Sequence, residues 1–174
     1  GHRYSPIIFD DPNYHRRDYH RFGAYGQSKT ANILFALALD ARGARQGVRA
    51  FSLHPGAIVS TDLKREFSAE ELRQAGVLDE KGEAIIDPSR ALKTVEQGAA
   101  TQVWCAVSPQ LDGMGGVYCE NVEVARPVRE EDIREWSLGD STQTVGVMPY
   151  AIDPDTADRL WTLSEELLGL EACR

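Results

Sequence analysis

The stretch Tyr25-Gly26-Gln27-Ser28-Lys29 opens a long apolar segment, and the rest of the chain is best interpreted from it. Tyr25 and Lys29 are four positions apart, so on a helix their side chains project from the same face, one turn apart. An ammonium group beside a phenol stabilises the phenolate and lowers its pKa from about 10. This arrangement suits a general acid/base that exchanges a proton with an alcohol or a carbonyl group.

The same spacing also arises by chance, in a tyrosine and a lysine that merely flank a surface helix, so its context decides its weight. Residues 24–44 continue with apolar side chains that cover more than one helical face. We therefore predict a helix that is buried on several sides, with one face on a sheet and another available to a neighbouring subunit. Gly43 and Gly47 mark the end of this helix.

Beyond this helix, the sequence predicts strands of a parallel sheet. Residues 48–53 have the composition of a short strand, and Pro55-Gly56 then turns the chain out of the sheet. Residues 115–119 indicate a second strand. A helix that is followed by a strand after a glycine turn is half of a βαβ unit, which is typical of parallel sheets. The predicted fold class is therefore α/β.

Capping signals predict two helices between these strands. Ser68 and Glu71 form a capping box ahead of a short helix at 69–75. Asp87-Pro88 combines an N-cap residue with proline at the first helical position, and it predicts a helix that continues to Val107.

The two ends of the chain have different character. Residues 1–23 are rich in polar and aromatic side chains without periodicity, which indicates a loop with short turns. Residues 125–174 are interpreted as a C-terminal extension, polar at first, with one helical turn at 130–136. A final helix begins at Asp153-Pro154 and ends at Gly169.

The segment 57–87 is predicted to be a mobile lid over the substrate, because it mixes charges with Gly76 and Gly82. Its apolar residues could line a substrate cavity, or they could be ordinary anchoring contacts, and the sequence leaves both open. These residues are Leu63, Phe67, Val77, Leu78, Ile85 and Ile86.

Composition excludes several classes of partner. The net charge of -8 argues against a nucleic-acid or anionic-membrane surface. No apolar run approaches the roughly 18 residues of a membrane span. The 3 cysteines form neither a CxxC pair nor a zinc-binding pattern, so no metal site is predicted. Such sparse cysteine usage fits a reducing cytoplasm, which is the expected location.

At this point the sequence resembles a known family, the short-chain dehydrogenase/reductases. Tyr25-Gly26-Gln27-Ser28-Lys29-Thr30-Ala31-Asn32, followed by Leu53-His54-Pro55-Gly56, is most similar to the branch with retinol dehydrogenases and their bacterial relatives. The stretch Gly146-Val147-Met148-Pro149-Tyr150 is similar to the same branch. The resemblance covers nearly the whole chain but only the second half of the family's domain. It implies the C-terminal part of a Rossmann-like, doubly wound parallel sheet.

The resemblance implies an NAD(P)-dependent oxidoreductase that transfers hydride between the nicotinamide and an alcohol or ketone. Tyr25 would be the catalytic acid/base. Lys29 would lower the pKa of Tyr25 and hydrogen-bond the nicotinamide ribose. Both residues would therefore contact the cofactor as well as serve the proton transfer.

The turn after the first predicted strand would complete the cofactor contacts in this half. By the resemblance, Pro55, Gly56 and Ile58 would form a turn against the nicotinamide carboxamide. A hydroxyl at Ser60 or Thr61 would contact the carboxamide or the adjacent phosphate. The spacing here is one residue longer than in the family, and Thr61 is the preferred candidate.

Two parts of the family's machinery have no counterpart in this sequence. One is the glycine-rich loop that cradles the pyrophosphate at a helix N-terminus, since Gly113-Met114-Gly115-Gly116 stands between a helix and a strand and indicates a turn. The other is the substrate-orienting serine, which precedes a Gly-His such as Gly1-His2 in the family. We therefore expect residues 1–174 to form one partial domain, inactive alone, with the N-terminal cofactor-binding half elsewhere.

Two alternative functions remain open. A nucleotide-sugar epimerase or dehydratase would share Tyr-x-x-x-Lys but would need a larger substrate domain. A non-catalytic dimerisation module would follow if the gene product had only these 174 residues. The family also implies a homodimer or homotetramer through helix 24–44. The substrate and the choice of NAD or NADP are not encoded in this stretch.

Overall fold

The computed structural model describes residues 1–61, 65, 67–129 and 145–170. Within them, helices and strands combine in an α/β arrangement, as the sequence predicted. The helices are α1 Arg21–Gly43, α2 Ala69–Gln74, α3 Val95–Val107 and α4 Pro154–Leu168, and the strands are β1 Ser52–His54, β2 Tyr118–Glu120 and β3 Glu123–Val124.

The sheet contains the parallel pair that the sequence predicted. In the described part of the chain it has three strands in the order β1-β2-β3. β1 and β2 run parallel with Ser52 opposite Tyr118, and α3 connects them as the helix of a βαβ unit. β3 was not predicted. It returns antiparallel to β2 after a two-residue turn, Asn121 and Val122, in which both residues have positive φ.

Helices cover both faces of this small sheet. Tyr118 packs in one apolar cluster with Ile33 of α1. The next residue, Cys119, has its thiol within hydrogen-bonding reach of the thiol of Cys105 on α3. Because successive side chains of a strand point to opposite faces, α1 and α3 lie on opposite sides of β2.

Helix α1 is buried on several sides, as its apolar pattern predicted, but part of its surface is covered from within the chain. Leu34 and Ala38 form a cluster with Ala157 and Leu160 of α4. At the edge of this contact, Phe35 stacks on Trp161 of α4 with the ring centroids 5.6 Å apart. The expected subunit contact through residues 24–44 stays a prediction.

The connection from α1 to β1 explains why β1 is shorter than the predicted strand 48–53. Arg49 donates two hydrogen bonds of 2.9 Å to the carboxylate of Asp40 on α1, and the N–H of Ala50 donates a third of 3.0 Å. These bonds tie residues 49 and 50 to the helix, so the strand begins only at Ser52. The second strand, predicted at 115–119, is likewise displaced to 118–120, because Gly116 has a left-handed φ of 68°.

The helix predicted from Asp87-Pro88 to Val107 is wrong in its first turns. Asp87 caps only a single 3-10 turn, Pro88–Arg90, which ends at Ala91 with a left-handed φ of 58°. The α-helix begins after Thr94, whose side chain accepts a hydrogen bond from the Gln97 N–H in a capping box. Thr94 and Gln97 carried this signal in the sequence, and the Asp-Pro pair obscured it.

The segment 57–87 contains α2 with the predicted capping box of Ser68 and Glu71. Val77 and Leu78 are buried in a cluster with Val59, Leu72 and Leu92, and Phe67 and Ile85 pack against it. These apolar residues are therefore anchoring contacts, whereas Ile86 is exposed. Leu63 lies outside the described residues, and the mobility of this segment stays a prediction.

The final helix was predicted correctly at both ends. Asp153 accepts a hydrogen bond of 2.8 Å from the Thr156 N–H as the N-cap of α4, and Gly169 ends the helix in a left-handed conformation. The helical turn predicted at 130–136 lies outside the described residues.

None of the helices in the described ranges combines the length and apolar character that a membrane crossing requires.

Replacing Gly26 with alanine is expected to destabilise the intact protein by about 1–3 kcal/mol, through overpacking. A Cβ at Gly26 would lie 2.5 Å from the Cβ of Tyr4 and 2.6 Å from the main-chain nitrogen of Ser5, so the N-terminal segment would have to move off α1. Urea denaturation measures the change. The control is Gly23→Ala, where the nearest atom is the Tyr14 hydroxyl at 3.2 Å and little change is expected. Equal stability of the two variants would contradict the close crossing.

Candidate active site

The first part of the candidate site is the beginning of α1, which carries Tyr25 and Lys29 on one face. His20 caps this helix by accepting a hydrogen bond from the Gly23 N–H. The Lys29 ammonium lies over the Tyr25 ring, 5.3 Å from its centroid. Within the part of the chain that the structure describes, no group hydrogen-bonds the Tyr25 hydroxyl or the Lys29 ammonium. Both polar ends are therefore available to a ligand.

The pKa of Tyr25 is shifted by its surroundings. Burial raises this pKa, even though 40% of the residue is exposed. Burial is the cause of this shift in the described chain. The predicted lowering of the Tyr25 pKa by Lys29 stays a prediction for the complete site. Tyr25 is held as a protonated phenol.

The second part of the site is the turn that follows β1. Gly56 has a φ of 93°, and its N–H donates a hydrogen bond of 3.0 Å to Nδ1 of His54. Among the described residues, none accepts a hydrogen bond from the N–H of Ile58 or Val59. The turn therefore presents two main-chain donors that no other described residue satisfies.

The two hydroxyl candidates at the end of this turn differ in their surroundings. The Thr61 hydroxyl donates a hydrogen bond of 2.9 Å to the Ile58 carbonyl, which closes the turn and leaves its oxygen able to accept another bond. Ser60 is exposed. The preference for Thr61 over Ser60 stays a prediction.

Residues 1–5, interpreted from sequence as part of a loop, join the two parts of the site. Gly1 lies directly against Tyr25 and Lys29, since a Cβ on Gly1 would be 2.6 Å from Cε1 of Tyr25. The ring of His2 meets the ring of Tyr118 edge-on, with centroids 5.1 Å apart. Tyr118 pairs with β1, so this short segment bridges the start of α1 and the sheet.

His2 and His54 are both held as neutral imidazoles. His2 accepts a hydrogen bond of 3.1 Å from the Met148 N–H, and its burial lowers its pKa to about 3. His54 accepts a hydrogen bond from the Gly56 N–H, and burial is the largest cause that lowers the pKa of His54 to about 4. An imidazole that accepts a hydrogen bond at a ring nitrogen from an N–H cannot be protonated there.

Sequence reasoning missed two groups of residues beside the site. Tyr4 stacks on Phe22 at 5.3 Å and approaches Tyr25 edge-on at 6.4 Å, which makes an aromatic wall next to the phenol. Lys93 is buried beneath the turn after β1, with 7% of its surface exposed. No local sequence pattern indicates Lys93. The aromatic content of residues 1–23 was a usable signal for the wall formed by Tyr4 and Phe22.

The arrangement fits a nicotinamide cofactor. The N–H groups of Ile58 and Val59, which have no acceptor within the described ranges, suit the carboxamide oxygen, and the Lys29 ammonium, which has no acceptor there either, suits ribose hydroxyls. Among the described residues, no cluster of three or more His, Cys, Asp or Glu side chains is arranged to hold a metal ion.

Comparison with known proteins gives the chain its relatives. It is 41% identical over 169 residues to a protein of Streptomyces lividans named "Probable oxidoreductase", and it covers 52% of that protein. It is 34% identical over 170 residues to "Short-chain dehydrogenase/reductase prx1" of Penicillium roqueforti, of which it covers 45%. These matches include 97% and 98% of this chain, which confirms its resemblance to the short-chain dehydrogenase/reductases.

A solved structure extends this relationship to the fold. An uncharacterized protein from Mycobacterium Paratuberculosis matches 98% of this chain with a TM-score of 0.56 and 26% identity, and the match covers 47% of that protein. No family model matches the chain. The chain thus spans about half the length of the curated relatives it matches.

The neutral state of His54 predicts a pH dependence of stability in the intact protein. Burial holds its folded pKa below the ordinary value of 6.5, so its contribution to stability is fully present above pH 6.5 and is lost as pH falls below that value. His54→Asn offers an oxygen in place of Nδ1 but has no group that titrates in this range. It is therefore expected to reduce the loss of stability between pH 6.5 and 4. Urea midpoints from pH 7 to 4 measure it. The exposed His15→Asn should leave the slope unchanged, and an unchanged slope in His54→Asn would contradict the assignment.

Proposed function

From the relationship of this chain to the short-chain dehydrogenase/reductases, we propose that the intact protein is an NAD(P)-dependent oxidoreductase. It interconverts an alcohol and a ketone or aldehyde, with Tyr25 as the proton donor and acceptor and Lys29 as its partner. The observation that carries the proposal is the pairing of Tyr25 and Lys29 on one face of α1, with both polar ends unpaired among the described residues.

Tyr25 acts on the oxygen of the substrate. In carbonyl reduction its hydroxyl donates a proton to that oxygen as negative charge develops there, and in alcohol oxidation the phenolate takes the proton back. Burial favours the protonated phenol, which supports the role of donor. Lys29 stabilises the phenolate that remains after donation, and its ammonium holds the ribose hydroxyls. The bound nicotinamide supplies or accepts the hydride.

The turn after β1 orients the nicotinamide ring. The N–H of Ile58 would donate to the carboxamide oxygen, and Pro55 and Gly56 would bring the main chain close to the ring. The left-handed conformation of Gly56 supports this close approach, because side chains disfavour it. The hydroxyl of Thr61, or of Ser60, contacts the carboxamide or the adjacent phosphate.

The described sheet supports a C-terminal part of a Rossmann-like, doubly wound fold. Helices flank both faces of β2, and β1 has a partner strand on one side only among the described elements. A parallel strand from the N-terminal half would pair with this open edge. That half would supply the pyrophosphate loop and the residue that distinguishes NAD from NADP.

Two alternatives fit the observations less well. Relatives that carry the name oxidoreductase favour this activity over a nucleotide-sugar epimerase or dehydratase. A non-catalytic dimerisation module would need no unpaired phenol and ammonium on one helix face. Binding of NADH or NADPH to the intact protein separates the module from the enzyme. A homodimer or homotetramer through α1 and a cytoplasmic location remain part of the proposal.

Tyr25→Phe in the intact protein is expected to lower kcat by about 10²–10⁴-fold on a ketone that the wild type reduces, because the proton donor is lost. NAD(P)H binding should change little, since the ring remains. Screening a panel of aldehydes and ketones by NAD(P)H absorbance provides the substrate. The control is Tyr19→Phe, which removes the hydroxyl of a tyrosine that is 71% exposed. Unchanged turnover in Tyr25→Phe would overturn the assignment.

A further inference from the structure

Lys93 is a buried cation that the proposed chemistry leaves without a role. Its side chain passes directly beneath Gly56, where an added Cβ would lie 2.7 Å from the Lys93 Cδ. Its ammonium donates a hydrogen bond of 2.6 Å to the side-chain oxygen of Asn121, at the end of β2. Lys93 therefore spans the space between the turn after β1 and the turn after β2.

The main chain of Lys93 also hydrogen-bonds the same turn. The N–H of Lys93 donates to the Ala57 carbonyl at 3.0 Å, and the Ala57 N–H donates to the Ala91 carbonyl at 2.7 Å. On the far side, α3 closes over the turn at Gly98, where a Cβ would lie 2.2 Å from Cδ1 of Ile58. Residues 55–58 are thus held from below by Lys93 and from the side by α3.

Burying the Lys93 ammonium in this space has a desolvation free-energy cost. Removing a charge from water costs several kcal/mol unless partners replace the water, and an apolar side chain of similar volume is often as stable or more so. Here the partners are Asn121, by a direct bond, and Glu120, which lies near enough to interact electrostatically. The charge thus makes a directional contact that an apolar residue could not make.

The partner of Lys93 lies in a strained turn. Asn121 and Val122 both have left-handed backbones, with φ of 52° and 62°, and this region is unfavourable for a β-branched residue such as valine. The Val122 N–H is held by the hydroxyl of the fully buried Thr101 on α3, at 3.3 Å. Strain of this kind persists only where surrounding contacts impose it, and it concentrates at functional sites.

We propose that Lys93 is a positioning residue for the nicotinamide side of the site: its bond to Asn121 fixes the turn at residues 55–58 so that the N–H of Ile58 points at the carboxamide. This inference rests on the proposed function. Lys93 acts through the turn and does not touch the cofactor. Lys93 is anchored at one end by its bond to Asn121 in the strained turn. Along its length it contacts Gly56 and Ala57, and it thereby restrains their main chain.

The test compares Lys93→Met and Asn121→Gly in the intact protein, with the exposed Lys81→Met as the matched control. Lys93→Met keeps the stem and removes the charge, whereas Asn121→Gly removes the amide and tolerates the left-handed backbone. Both are expected to weaken NAD(P)H binding, measured by nicotinamide fluorescence, by about tenfold, as for loss of a charged hydrogen bond. The KM for NAD(P)H should rise more than kcat falls.

A second readout needs no cofactor. Hydrogen exchange in the cofactor-free protein should accelerate at the bonded N–H groups of Gly56 and Ala57 in both variants and stay unchanged in Lys81→Met. Unchanged cofactor affinity, or acceleration spread evenly over the sheet and helices, would overturn the positioning role. Full turnover in Tyr25→Phe would contradict the proposed function itself, whatever the Lys93 variants show. Loss of turnover in Tyr25→Phe together with wild-type cofactor affinity in Lys93→Met would overturn only the role of Lys93.

Discussion

The architecture around the site depends on how the first residues of the chain are held across α1. Thr30 is fully buried on this helix, and its hydroxyl lies 2.7 Å from the Ser5 carbonyl and 3.1 Å from the His2 carbonyl. The Tyr150 hydroxyl donates to the same His2 carbonyl at 2.8 Å. Because of these bonds, the short 3-10 helix His2–Tyr4 connects the helix that carries Tyr25 to the segment before α4. The phenol is therefore positioned by long-range contacts as well as by its own helix turn.

Much of the fold was predictable because its signals are local. The apolar pattern of α1, the N-cap of α4 at Asp153 and the capping box at Ser68 each involve residues within a few positions of one another, and each was confirmed. The parallel βαβ unit followed from the order of these elements. The start of α3 was misplaced because two local capping signals, at Asp87 and at Thr94, competed for it. Only the path of the chain over a longer range distinguishes them.

The site was predictable only in its chemistry. The spacing of Tyr25 and Lys29 and the Pro55-Gly56 turn are visible in the sequence, but their environment is not. Burial raises the pKa of Tyr25, and burial is a property of the packed chain. Lys93 contacts Asn121, 28 positions away, and no spacing rule links a lysine to an asparagine at that separation.

The contact between Gly98 and Ile58 has a consequence for the evolution of relatives. The helix approaches the turn so closely that even one added methyl group at position 98 would collide with the isoleucine side chain. The sizes of the two residues are therefore not independent: a relative that gains a side chain at position 98 must lose volume at position 58, turn the end of that side chain aside, or shift its third helix. The two columns of an alignment of such proteins would covary in volume, although 40 positions separate them.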